Sequence, residues 1–110
     1  MIMVMVALYQ ATGDPKYLTA AENSYKVIDR SSLLVDGCPS AREHIAGNTS
    51  VETHEACVIN YSSGTFSYLL RTTGDAKWAD RIERVCLNAG PGAVTKDFKQ
   101  VQYFSGPNQV

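Results

Sequence analysis

The sequence predicts a mainly α fold made of helical hairpins, with a β element starting near the C-terminus. Three observations predict it. Apolar residues recur at helical spacing in four separate stretches. One turn motif occurs twice, as Thr12-Gly13-Asp14-Pro15-Lys16-Tyr17 and as Thr73-Gly74-Asp75-Ala76-Lys77-Trp78, at an offset of 61 residues. Finally, residues 99–104 alternate in character as a strand does.

The first helix is expected over residues 1–11, where Met1, Val4, Met5 and Leu8 make one stripe. In the turn that follows, Gly13 can take the left-handed conformation that ends a helix. Asp14 then caps the next helix, and Pro15 suits its first turn. The second helix is expected over 15–29, with Tyr17, Leu18, Ala21, Tyr25 and Ile28 on one face. A polar segment, 30–54, is broken up by Gly37, Pro39, Gly47 and Asn48. Connections of that length are usually functional or disordered. The third helix, 56–72, carries Cys57, Tyr61, Thr65, Tyr68 and Leu69. The second copy of the turn leads to a fourth helix, 76–89, with Trp78, Ile82, Val85, Cys86 and Ala89. After Gly90-Pro91-Gly92 the pattern changes, which divides the chain into 1–92, hairpins and loop, and 93–110, the start of a β region.

Two hairpins do not close a globule. Such units pack side by side in toroids or solenoids, which need more hairpins than these. The chain begins inside a helical pattern and stops without a terminal signal, so a piece of a longer protein is expected, in contact with its remainder.

With 110 residues, 45% hydrophobic and 19% charged, the chain has the makings of one modest core. A net charge of −1 and scattered Lys and Arg give no case for nucleic acid or an anionic membrane as partner. The apolar residues 1–7 are too few to cross a bilayer, and no cationic segment precedes them as in a signal peptide. The three cysteines, Cys38, Cys57 and Cys86, are odd in number and irregularly spaced. That argues against a disulfide framework and favours a reducing, cytoplasmic compartment.

The chemistry concentrates at Glu55 and Cys57, a carboxylate and a thiol two residues apart where the polar loop meets a helix. On an ideal helix they would lie about 200° apart and share no ligand. In extended backbone they face the same way. A shared metal therefore requires an extended Glu55 and a helix that starts near Cys57. His54 and Cys57, at helical spacing, make a different pair, and His44 is a third donor at best. Zinc accepts all three donor types. The plainer reading, which spacing alone favours, is that Glu55 sits at the positive end of the helix and Cys57 is a small buried apolar residue. Glu43, in the long loop, is either a general acid or base beside a second carboxylate or a solvated charge. Glu52 and His54 read as polar loop residues. Cys86 reads as core, Cys38 as either, and Tyr61, Tyr68 and Trp78 as core. Tyr103 and Phe104 suit a cleft wall without being required there.

Three stretches resemble glycoside hydrolase family 127, the β-L-arabinofuranosidase group: HEAC at 54–57, LLRTTGDAKWADRIERVCLNA at 69–89 and QYFSGPNQV at 102–110. Leu8 to Tyr17 adds a similar hairpin. The resemblance implies an (α/α)6 toroid, of which 1–110 is a fragment, followed by β-sandwich domains. It implies a zinc ion held by a glutamate and three cysteines, one cysteine being the nucleophile and a second glutamate the acid/base. By motif match Glu55 and Cys57 are two of the zinc ligands and Glu43 is the acid/base. The adjacent cysteine pair that holds the nucleophile has no counterpart in these residues. Ala56 replaces the family's threonine, and the series Glu52, Thr53, His54 is a decoy with histidine in the cysteine position. The implied activity is retaining hydrolysis of an arabinofuranoside-type sugar, with this piece alone inactive. The alternatives are a helical-repeat module that binds a peptide and a non-catalytic toroid relative.

Overall fold

The computed structural model describes residues 2–108 and is mainly helical. Two helical hairpins carry the chain: α1 (Ile2–Thr12) with α2 (Pro15–Ser31), and α3 (Ala56–Thr73) with α4 (Lys77–Arg84). α4 runs on through a wider, π-helical turn, Val85–Ala89, into the short α5, Gly90–Gly92. The four expected helices are therefore present, and the last extends past Ala89 to the Gly-Pro-Gly segment.

The repeated turn has the same bonds in both copies. Gly13 and Gly74 have φ of 71° and 68°, the left-handed region that glycine enters without penalty. Their N–H groups donate to Tyr9 O and Leu70 O, each at 2.8 Å. Asp14 Oδ1 accepts from Lys16 N, and Asp75 Oδ1 from Lys77 N, both at 3.0 Å. Lys16 and Lys77 then pair with the same aspartates at 2.7 and 2.8 Å and lie over Tyr17 and Trp78, each 4.9 Å from the ring centroid. The glycine thus ends one helix and the aspartate meets the first turn of the next, in the way their sequence positions imply.

The core lies between the hairpins. Val6, Ala21, Tyr25, Ile59, Phe66, Leu69, Trp78, Val85 and Ala89 are buried in it. Tyr25 of α2, Phe66 of α3 and Trp78 of α4 have ring centroids 5.0–5.8 Å apart. The Arg81 guanidinium sits 5.5–5.9 Å from all three rings and pairs through both its terminal nitrogens with Asp29 of α2.

Several expected core positions are corrected. Met1 lies outside the described residues. Val4 and Leu8 are exposed, and Val6 is the buried residue of α1. That helix is apolar on every face, so spacing could not select one. On α3 the expected Thr65 and Leu69 are buried, but Ile59, Ser62 and Phe66 join them inside and Tyr61 and Tyr68 are exposed. Cys86 is exposed, not core. The buried line of the last helix is Trp78, Val85 and Ala89, and the wide turn at Val85 leaves Cys86 on its outer flank.

The segment between α2 and α3 is ordered. Leu33 bridges to Pro39, and Ser40 N donates to Ser32 O at 2.8 Å. The buried Ser40 hydroxyl ties Ala46 O and Gly47 O to this turn. A minimal hairpin follows, β1 (Ala41–Arg42) against β2 (His44–Ile45), and then β3 (His54–Glu55), which opens directly into α3. β3 pairs antiparallel with β4 (Phe104–Ser105), with His54 opposite Ser105 and Glu55 opposite Phe104. The expected strand over 99–104 is displaced. Thr95 and Asp97 close a side-chain turn, so residues 95–100 double back on themselves. Val94 bridges Val101, and continuous pairing begins only at Phe104.

Candidate functional site

The junction of β3 with α3 sets the geometry. Glu55 has φ −86° and ψ 147°, extended backbone, and Ala56 begins the helix. This is the condition under which residues two apart face the same way. Glu55 Oε2 and Cys57 Sγ lie 3.2 Å apart, with the thiol donating. The Glu55 carboxylate makes no bond to the N–H groups of α3, so it does not cap the helix. Cys57 is exposed, so it is not a small core residue.

Two further groups close on Glu55. Glu43, at the turn between β1 and β2, has φ 67°, an uncommon conformation for a side chain of its size. Its main-chain N–H donates to Glu55 Oε1 at 2.8 Å. Tyr103, just before β4, donates its phenol to Glu55 Oε2 at 2.8 Å and stands 3.4 Å from Cys57 Sγ. The N–H of Glu43, followed by the phenol and the thiol, holds the Glu55 carboxyl below the usual carboxylate range. The phenol of Tyr103 is pushed up, first by its hydrogen bond with Cys57 and then by the one it donates to Glu55, because both bonds favour the protonated phenol.

Glu43 thus reaches the site through its backbone, and its side chain is exposed at the loop tip. His54 does not join Cys57. Successive residues of β3 point to opposite sides, and His54 is buried on the far side at 1% exposure. Its Nε2 lies 2.7 Å from Asp36 Oδ2 and its Nδ1 3.3 Å from Ser105 Oγ. The expectation of a polar loop residue is corrected here: His54 ties the loop, β3 and β4 together. Glu52 pairs with Arg42 at 2.8 Å. His44 lies on the exposed β2. Among the described residues no group of three or more His, Cys, Asp or Glu side chains comes together. Cys38 is fully buried, and burial first, then Asp36, pushes its thiol up to about 12, so it stays protonated at neutral pH.

Tyr103 is the residue whose part in this cluster sequence reasoning missed. It stands 48 positions from Glu55, and its sequence context announced a strand and a residue suited to a cleft wall but no contact with Glu55.

Two helical hairpins with a carboxylate, a thiol and a phenol brought together where β3 opens into α3 make a mainly helical unit with a polar cluster at one helix start. The family model of the β-L-arabinofuranosidase GH127 catalytic domain matches residues 1–110, and the chain belongs to that family of glycoside hydrolases. No protein of curated function matches it.

Proposed function

We propose that these residues form part of the active site of a retaining glycoside hydrolase acting on arabinofuranoside-type sugars, in an (α/α)6 toroid completed by further hairpins. Glu55 and Cys57 are two ligands of a zinc ion, and Glu43 is the acid/base. The observation that carries the reading is the 3.2 Å between Glu55 Oε2 and Cys57 Sγ. Carboxylate and thiolate on one tetrahedral zinc stand about 3.5 Å apart, given metal–oxygen and metal–sulfur distances near 2.0 and 2.3 Å. The two donors already have nearly that spacing, and Cys57 is open on its outer side. When bound, zinc keeps the thiols that ligate it deprotonated at neutral pH.

The residues divide the remaining work. Glu55 and Cys57 hold their positions through the extended backbone ahead of α3. The Glu43 carboxyl protonates the leaving glycosidic oxygen, then as carboxylate takes a proton from the water that releases the sugar. The attacking thiolate and the other ligands come from outside these residues, so the isolated 110-residue chain is inactive.

Metal analysis and turnover of an aryl arabinofuranoside by the complete protein test this. Cys57→Ser and Glu55→Gln lose stoichiometric zinc and activity together. Glu43→Gln keeps zinc, since its backbone N–H remains, and lowers kcat by about 10²–10⁴-fold. A fully active complete protein free of zinc, or turnover by the isolated chain, overturns the proposal.

A further inference from the structure

We infer that Tyr103 is a positioning residue for the Glu55 carboxylate, setting which oxygen faces Cys57 and thereby the affinity of the site for a divalent cation. This rests on the reading of Glu55 and Cys57 as ligands. A carboxylate on a flexible side chain can rotate either oxygen toward a metal and lose affinity in doing so. Here both oxygens are held. The Glu43 N–H takes Oε1, and the Tyr103 phenol takes Oε2, each at 2.8 Å. The thiol of Cys57 also donates to Oε2, but a thiolate ligand has no proton to donate. The phenol is then the side-chain donor left on the ligating oxygen, and one lone pair of Oε2 remains for the cation.

The phenol is itself well anchored. Tyr103 O accepts from Ala56 N at 2.7 Å, the residue between the two ligands. Its ring meets Phe104 edge-on, with centroids 5.1 Å apart. The strand that follows is fixed from behind, where Ser105 reaches the buried His54 and His54 reaches Asp36. Tyr103 is therefore part of a rigid strap laid across the first turn of α3, with its hydroxyl over the Glu55–Cys57 pair. Outer hydrogen bonds of this kind orient ligands and typically contribute 10–100-fold in metal affinity.

The test is Tyr103→Phe in the complete protein, which keeps the ring against Phe104 and removes only the donor. Zinc affinity is read by competition with a chromophoric chelator, and geometry by the visible spectrum of the cobalt-substituted protein. The expected result is one metal per chain, bound about 10–100-fold more weakly, with altered cobalt ligand-field bands. Far-UV circular dichroism and the thermal midpoint of the metal-free protein establish that the fold is kept. Should the variant fail to fold, fluorotyrosine at position 103 keeps the shape and changes donor strength, and a graded shift in affinity is expected. Unchanged affinity and spectrum in Tyr103→Phe, with zinc lost in Glu55→Gln, overturn this inference alone. Unchanged zinc in Glu55→Gln overturns the ligand reading as well.

Discussion

His54 and Glu55 are neighbours in the chain and opposites in role, because a strand sends successive side chains to opposite sides. His54 faces inward with Asp36 and Ser105, and Glu55 faces the thiol and the phenol. A carboxylate can only accept, so Nε2 carries the proton toward Asp36, and in the neutral ring Nδ1 accepts from Ser105. Removing the imidazole leaves a mostly buried carboxylate, its side chain 11% exposed, without its ring donor. His54→Ala is expected to cost about 3 kcal/mol. Asp36→Asn keeps an acceptor for Nε2 and costs about 1 kcal/mol. Urea unfolding midpoints measure both, and equal small losses would show that the histidine is not the pin of this strap. The E-x-C spacing stated in advance the condition under which Glu55 and Cys57 converge, and their backbone meets it. Nothing in the sequence linked His54 to Asp36, 18 residues away, or Tyr103 to Glu55, because such pairs are made by tertiary pairing and not by local period.

Elements defined by local chemistry were the legible ones. The Thr-Gly-Asp turns carry their own instructions: a glycine for the left-handed residue, an aspartate for the next cap, and a lysine to pair with it. Both copies fold alike. The faces of the helices were less legible. α1 offered apolar residues all round, and α3 rotated two tyrosines outward while burying Ser62 and Phe66. The strand near the C-terminus was misplaced because Thr95 and Asp97 spend the first alternating residues on a turn. Since the repeated turn rests on the left-handed glycine, substitution there is informative. At Gly74 an added Cβ meets nothing within 4 Å, so the cost of Gly74→Ala comes from φ and not from crowding. A loss of about 1 kcal/mol, or a thermal midpoint lower by about 5 °C, is expected by scanning calorimetry. No change would mean the turn adopts another conformation without penalty.

At the scale of the whole molecule the hairpins leave much surface open. The accessible area is 6768 Å², against about 6,000 Å² for a compact monomer of 12.0 kDa. The radius of gyration is 14.3 Å, against about 13 Å for a chain this long. Val4, Val27 and Leu87 are each at least 60% exposed on their helices. Less apolar surface is buried per residue than in a closed domain, so a stability at the low end of the usual range, about 5 kcal/mol, follows. The joint between the hairpins is the ring cluster, since Tyr25, Phe66 and Trp78 come from three helices and Arg81 is laid over all of them. Phe66 is central to it and 1% exposed. Truncating it removes a ring from two aromatic contacts and opens a cavity, at a cost of about 4 kcal/mol. Phe66→Ala is therefore expected to consume most of the margin and to lower the thermal midpoint by about 15 °C or more, read by far-UV circular dichroism. Phe66→Leu, which refills most of the volume without the ring, should cost only about 1–1.5 kcal/mol. If the alanine variant melted within a few degrees of the parent, the hairpins would have to be held together elsewhere, and the packing of α1 against α3 would be the place to look.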